Sequence, residues 1–160
     1  MSSSDDAALL ATIATIQEQE RDLVFARFDN DDAWRLGCVL VELAREQALA
    51  VTIDLRRGTQ QLFHVALPGT ASDNDSWVER KARVVERFGA SSYLVGLSPM
   101  AEGTTFEARH GLPLQQYPAV GGAFPVRVKD VGIVGTVTVS GLLPEEDHAL
   151  VVAALRIFLA

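Results

Sequence analysis

Apolar residues recur at two spacings along the chain, and the spacings divide it into elements. The pattern is densest from Pro118 to Leu159. Gly121-Gly122 makes a turn. Phe124, Val126 and Val128 then alternate with Arg127 and Lys129, which predicts a strand with one apolar face. Asp130-Val131-Gly132 suits a three-residue hairpin loop with Gly132 left-handed. Ile133, Val137 and Val139 alternate with Thr136, Thr138 and Ser140, and Gly135 on the apolar side marks a bulge or a close approach. After Gly141, Pro144 fits a first helical position, followed by Glu145, Glu146 and Asp147 at the positive helix end. Val151, Val152, Leu155, Phe158 and Leu159 form the stripe that docks this helix.

Upstream, Leu9, Leu10, Ile13 and Ile16 predict a helix from Asp5 to Glu20, with residues 1–4 disordered. Leu23 to Phe28 reads as a short strand. Asn30 or Asp31 caps a helix from Asp32 to Gln47, where Gly37 and Ala44 leave room for a close neighbour. Val51, Ile53 and Leu55 alternate with polar residues, Arg57-Gly58-Thr59 turns, and Gln60 to Leu67 returns, an antiparallel hairpin. Asn74 to Phe88 predicts a helix stopped by Gly89. Ser91 to Leu97 is a second helix or a turn. Met100 to Gly122 has no clear period and reads as a long irregular segment. Two hairpins, a fifth strand and no βαβ unit predict a single α+β domain over residues 1–160, a five-stranded antiparallel sheet flanked by helices.

Composition narrows the function classes. The formal net charge of −7 disfavours nucleic acid and anionic membranes. No apolar run approaches the roughly 20 residues of a membrane span. Cys38 is the single cysteine, so no intrachain disulfide forms and a cytoplasmic setting is expected. No cysteine–histidine cluster suggests a metal site, so none is expected.

No complete catalytic constellation is present. His148 lies on the first turn of the last helix, three residues before Val151, on the docked side. A helix start favours its neutral form, which can ligate iron or accept a proton. It reads equally as a histidine hydrogen-bonded inside a packed helix start. His64 shares a strand face with Leu62 and Ala66, as a pocket wall or as a satisfied side chain. His110 sits in the long segment. Arg80 and Lys81 follow Trp77 on one helix and read as a carboxylate or phosphate clamp, or as a solvated face paired with Glu79 and Glu86. Gly121-Gly122 either bares amides for an anion or simply turns. Ser91, Ser92 and Ser140 have no evident His/Asp arrangement.

Residues Pro118 to Ser140 resemble the GlcG/HbpS-like, or haem-degrading-domain, family, in which a Gly-Gly precedes a Pro and a hairpin ending in Ser-Gly. Here these are Gly121-Gly122, Pro125, Gly132, Gly135 and Ser140-Gly141. The chain is further similar to the uncharacterised branch found in bacteria and fungi. Leu62-Phe63-His64 with Leu67-Pro68-Gly69-Thr70 carries that likeness. So do Ser76-Trp77-Val78, Arg80-Lys81, Arg87-Phe88 and Ser91-Ser92-Tyr93, and lastly Ser140-Gly141-Leu142 with Glu145-Glu146-Asp147-His148.

The resemblance implies a profilin-like fold, a homo-oligomer of at least two subunits, and a haem- or tetrapyrrole-related role. Some relatives bind haem, and related domains accompany corrinoid enzymes. Two functions are thus expected. One is a cytoplasmic small-ligand-binding protein, haem being the candidate ligand, with His64, Trp77, Arg80, Lys81, Gly121, Gly122 and His148 around a pocket near a subunit interface. The other is an oligomeric interaction scaffold, since fungal relatives are associated with protein assembly. The apolar end of the last helix and the stripe of the first are its contact surfaces.

Overall fold

The computed structural model describes residues 2–160. Six helices and four strands follow in chain order: α1 (Ser3–Asp22), α2 (Asn30–Glu46), β1 (Thr52–Arg57), β2 (Gln60–Ala66), α3 (Ser72–Phe88), α4 (Ser92–Ala101), α5 (Phe106–His110), β3 (Ala123–Val128), β4 (Gly132–Ser140) and α6 (Pro144–Phe158). The strands form one antiparallel sheet in the order β2-β1-β4-β3. No helix among the described residues is long and apolar enough to cross a membrane.

The sheet has four strands, not five. Leu23 to Phe28 is a strap held beside β3 by one parallel bridge, Phe25 to Val128. Its backbone contributes one donor and one acceptor: Phe25 N donates to the Arg127 carbonyl (2.8 Å), and Lys129 N to the Phe25 carbonyl (2.9 Å). Side chains hold the strap instead. Leu23, Phe25 and Phe28 are buried, and Phe25 packs against Phe28 and Phe158 at 5.4 and 5.9 Å. The strap covers the β3 edge, so β2 remains the open edge of the sheet.

Inward residues of the strands, Ile53, Leu55, Phe63, Phe124, Val126, Val137 and Val139, join Leu36, Leu40, Ala44, Val151 and Leu155 in the main core. Helices α2 and α6 therefore cover one face. A Cβ on Gly37 would meet the Phe63 ring at 2.5 Å, so this glycine is what lets α2 lie flat on β2. Helix α3 covers the other face, and α4 and α5 close a small cluster around Val84, Val95, Phe106 and Ala119.

Local chemistry sets the boundaries. Ser2 caps α1 through Asp5. Asp29, rather than Asn30 or Asp31, caps α2: its carboxylate accepts from Asp32 N (2.8 Å), and Asp32 accepts from Asp29 N (2.9 Å). Gly89, at φ 68°, ends α3. Ser91 caps α4, and Thr105 caps α5 inside the segment expected to be irregular. The register of β4 slips opposite Val126 and Arg127, leaving Val134 as an extra residue. The slip turns Ile133 away from the row of Val137 and Val139, toward Gly89 at the end of α3. At Gly135 a Cβ would collide with the Arg56 carbonyl, the close approach its place in the pattern suggests.

Candidate functional site

Helix α3 lies on the polar face of the sheet, and that face is buried. Thr52, Asp54, Thr136, Thr138 and Ser140 point toward α3, opposite the core row, and all are buried. The hydroxyls of Thr52, Thr136 and Thr138 have no hydrogen-bond partner. Buried hydroxyls are usually hydrogen-bonded, so a layer this polar beneath a helix sets the seam apart from the apolar core.

One end of this seam contains a buried ion pair. Lys81 is 3% exposed, and its Nζ donates to Asp147 Oδ2 at 2.9 Å and to the Val139 carbonyl at 3.3 Å. Asp147 also accepts from Leu142 N at 3.0 Å. Burial pushes the ammonium down and the carboxyl up, while their mutual attraction pulls each the other way.

Gly121 and Gly122 make room for this pair. At Gly122, with φ 137°, a Cβ would stand 2.5 Å from the Val139 carbonyl oxygen and 2.6 Å from Lys81 Nζ. A Cβ on Gly121 would strike the Pro144 carbonyl and lie 3.2 Å from the Cβ of His148. His148 itself is 5% exposed, and its Nε2 bonds Gln19 Oε1 at 2.7 Å. Its ring packs edge-on against Tyr93, and Phe124 lies beside it. Desolvation lowers its pKa from 6.5 to about 4, so the imidazole is neutral, and Nδ1 is buried without a partner.

Above the pair lies an open cavity of about 370 Å³, walled by Trp77, Val120, Leu142 and Pro144, rimmed by Asp73 and Asn74, with Lys81 and Asp147 at its base. Outside it runs a ladder of arginines and aromatic rings. The Arg80 guanidinium stacks over Trp77 at 4.4 Å and donates to the Gln115 carbonyl at 2.9 Å. Arg83 donates to the Gln116 carbonyl at 3.0 Å, and Arg87 to the Tyr117 hydroxyl at 3.2 Å, both beside the Tyr117 ring. Among the described residues no carboxylate lies within ion-pair distance of these three arginines, so Glu79 and Glu86 are not their partners.

The structure thus brings Lys81, Gly121, Gly122 and His148 together, with Trp77 above them. Arg80 and Lys81 do not act as one clamp, since neighbours on a helix point about 100° apart. His64 lies elsewhere: Nδ1 is 3.0 Å from Asp54 Oδ1 and Nε2 is 2.6 Å from Asp75 Oδ1, which ties α3 to β1 and β2. His110 is exposed beside Phe88 and Phe106. No imidazole lines the Trp77 cavity, and no group of three or more His, Cys, Asp or Glu among the described residues could hold a metal ion. The lining of this cavity therefore offers no imidazole to an iron. Asp147, Arg83 and Tyr117 are the functional candidates that motif reading misses. Only the place of Lys81 on the Val78–Val85 stripe hints at a buried counter-charge.

The chain matches the family described as haem degrading protein HbpS-like over residues 28–156. A UPF0303 protein of Streptomyces coelicolor is 61% identical over 148 residues, covering 92% of this chain and 94% of that protein. The crystal structure of Ybr137w protein is similar with a TM-score of 0.83 at 27% identity, covering 92% of this chain and 88% of that one. The crystal structure of a PduOC:heme complex has a TM-score of 0.68 at 15% identity, covering 81% and 93%, which is a likeness of fold. By the matched length and by its UPF0303 relatives, the chain belongs to the HbpS-like haem-degrading family.

Proposed function

We propose that the chain is a small-ligand-binding protein that takes a flat, carboxylate-bearing molecule of the tetrapyrrole class, haem included, on the arginine ladder outside the Trp77 cavity. The observation that carries this is Arg80, Arg83 and Arg87, free of carboxylate partners and interleaved with Trp77 and Tyr117. Guanidinium forks match carboxylates in geometry, and the aromatic faces offer a surface to a planar ring. The family description and the haem held by one structural neighbour support the class. Held by its edge and plane, the ligand needs no iron to bind.

The test is an absorbance titration with haemin and, separately, with iron-free protoporphyrin. Both are expected to saturate with affinities within about threefold, and Arg80→Ala or Arg83→Ala to weaken both about tenfold, the loss of one charge-assisted hydrogen bond. His64→Ala should leave both unchanged. Absence of saturable binding, or haemin binding indifferent to either arginine, would sink the proposal.

Association is a second reading. Strand β2 is the open sheet edge, and beside it Trp34 is 62% exposed over a groove of about 460 Å³ lined by Cys38, Leu62, Phe63 and Val65. A second copy pairing along β2 would cover both edge and groove. Light scattering should give at least a dimer, reduced to a monomer by Trp34→Glu; a native monomer at micromolar concentration refutes it. The antiparallel sheet with helices on both faces is read as profilin-like, and the lone, half-buried Cys38 supports a cytoplasmic setting.

A further inference from the structure

The chain has two lysines, Lys81 and Lys129, and uses arginine for its other long cationic side chains. At position 81 the distinction is chemical, because an amine can become a nucleophile and a guanidinium cannot. We propose that Lys81 is an imine-forming amine that captures a small uncharged aldehyde from the Trp77 cavity, with Asp147 as its proton carrier.

Geometry supports each part. Lys81 is part of the cavity lining, and its Nζ lies 2.9 Å from the carboxylate that can take its proton. Gly122 packs against the amine with no side chain between them, since a Cβ there would stand 2.6 Å from Nζ. The walls, Trp77, Val120, Leu142 and Pro144, are apolar, and the charged neighbours Asp73 and Asp147 are acidic. An uncharged or aromatic aldehyde suits that lining, and an anionic one does not. Burial also shifts the amine and the carboxyl in the directions that favour passing the proton between them.

The step balances without oxidant or reductant. The Nζ proton moves to Asp147 Oδ2 and frees the lone pair. That pair forms the C–N bond as the carbonyl π bond breaks onto oxygen. Asp147 gives its proton to this oxygen and takes one from nitrogen, leaving the carbinolamine. The C–O bond then breaks, the oxygen leaves as water with the proton Asp147 holds, and the nitrogen pair closes the C=N bond. An iminium–carboxylate pair replaces the ammonium–carboxylate pair, so Asp147 stabilises the product as it did the reactant.

The proposal does not depend on tetrapyrrole binding, since no arginine of the outer face takes part. The native full-length chain is treated with benzaldehyde and cyanoborohydride, which reduces the iminium to a stable amine, and adducts are mapped by peptide mass. At pH 7 Lys81 should be labelled at least about tenfold faster than Lys129. Between pH 8 and pH 6 an ordinary amine loses about tenfold per unit in its free fraction, whereas Lys81, which delivers its proton to Asp147, should slow by less than about threefold. Glyoxylate should label Lys81 at least about tenfold more slowly than benzaldehyde, because its carboxylate meets Asp73 and Asp147. Lys81 unlabelled, or labelled no faster than Lys129, overturns the site. A pH profile parallel to that of Lys129 overturns the role of Asp147, and equal labelling by glyoxylate overturns the substrate class.

Discussion

The Lys81–Asp147 pair makes a quantitative prediction about stability. Both side chains are almost fully buried, so neither charge can turn to water when the other is removed. Breaking a buried pair from one side costs about 3–5 kcal/mol, because the remaining charge is stranded. Asp147→Leu belongs at the upper end. It leaves the ammonium only the Val139 carbonyl, and it strips Leu142 N of its acceptor, about 1 kcal/mol more. Lys81→Met belongs at the lower end, because the abandoned carboxyl keeps Leu142 N and can take up a proton. Burial already raises its pKa, so the charged form is penalised at high pH and relieved as pH falls. The Lys81→Met penalty should therefore shrink toward pH 5.

The double variant, Lys81→Met with Asp147→Leu, buries no charge at all. It should cost only about 1–2 kcal/mol, the orphaned Leu142 N–H and imperfect packing. The two single variants together would then exceed the double by about 5 kcal/mol or more. Urea unfolding followed by tryptophan fluorescence reads this directly, as midpoint losses of about 2 M for each single and under about 1 M for the double, with a slope near 2 kcal/mol per M. A double variant as unstable as the sum of the singles would refute the claim that each charge exists to compensate the other.

Gly122→Ala should cost about 2–4 kcal/mol, since its Cβ meets both a backbone oxygen and Lys81 Nζ at positive φ, while Gly103→Ala, at φ 77° with open space around it, should cost about 1 kcal/mol. Urea midpoints of the two variants check the contrast, and equal losses would remove the packing role of Gly122. His148 is neutral in the fold down to about pH 4 and protonates near 6.5 when unfolded. The unfolded chain thus binds the extra proton first: the stability His148 contributes is complete above pH 6.5 and is lost as pH falls toward 4, about 3 kcal/mol in all. Native stability minus that of His148→Gln, measured from pH 7 to pH 4, should fall by that amount; the variant serves as reference because the raised carboxyls of Glu20 and Asp147 act in the opposite sense and cancel. A flat difference would place the imidazole in contact with water.

What could be read in advance follows from how local each signal is. The hairpins of β1 with β2 and β3 with β4 are legible because period-two alternation and a short turn are properties of adjacent residues. The strap at Leu23–Phe28 is not: a brief apolar run between two helices looks the same whether its backbone enters a ladder or only its rings enter the core. Helix α4 reads equally as a turn for a related reason, since Tyr93-Leu94-Val95-Gly96-Leu97 is apolar on every side and has no stripe, and Gly96 is required by the Ala119 carbonyl rather than by the helix. At the site, Arg80 and Lys81 read as one basic pair because they are neighbours, and the helix separates them. Val78, Lys81, Ala82 and Val85 fall at spacings of three and four, which puts Lys81 on the buried stripe, while Arg80, Arg83 and Arg87 share another face. A lysine on an apolar stripe requires a counter-charge from elsewhere in the chain. It comes from Asp147, which in the sequence is the third of three acidic residues favouring a helix start and carries no local mark of its own. Only the fold, through the Gly121-Gly122 turn and the first turn of α6, decides which of the three meets the amine.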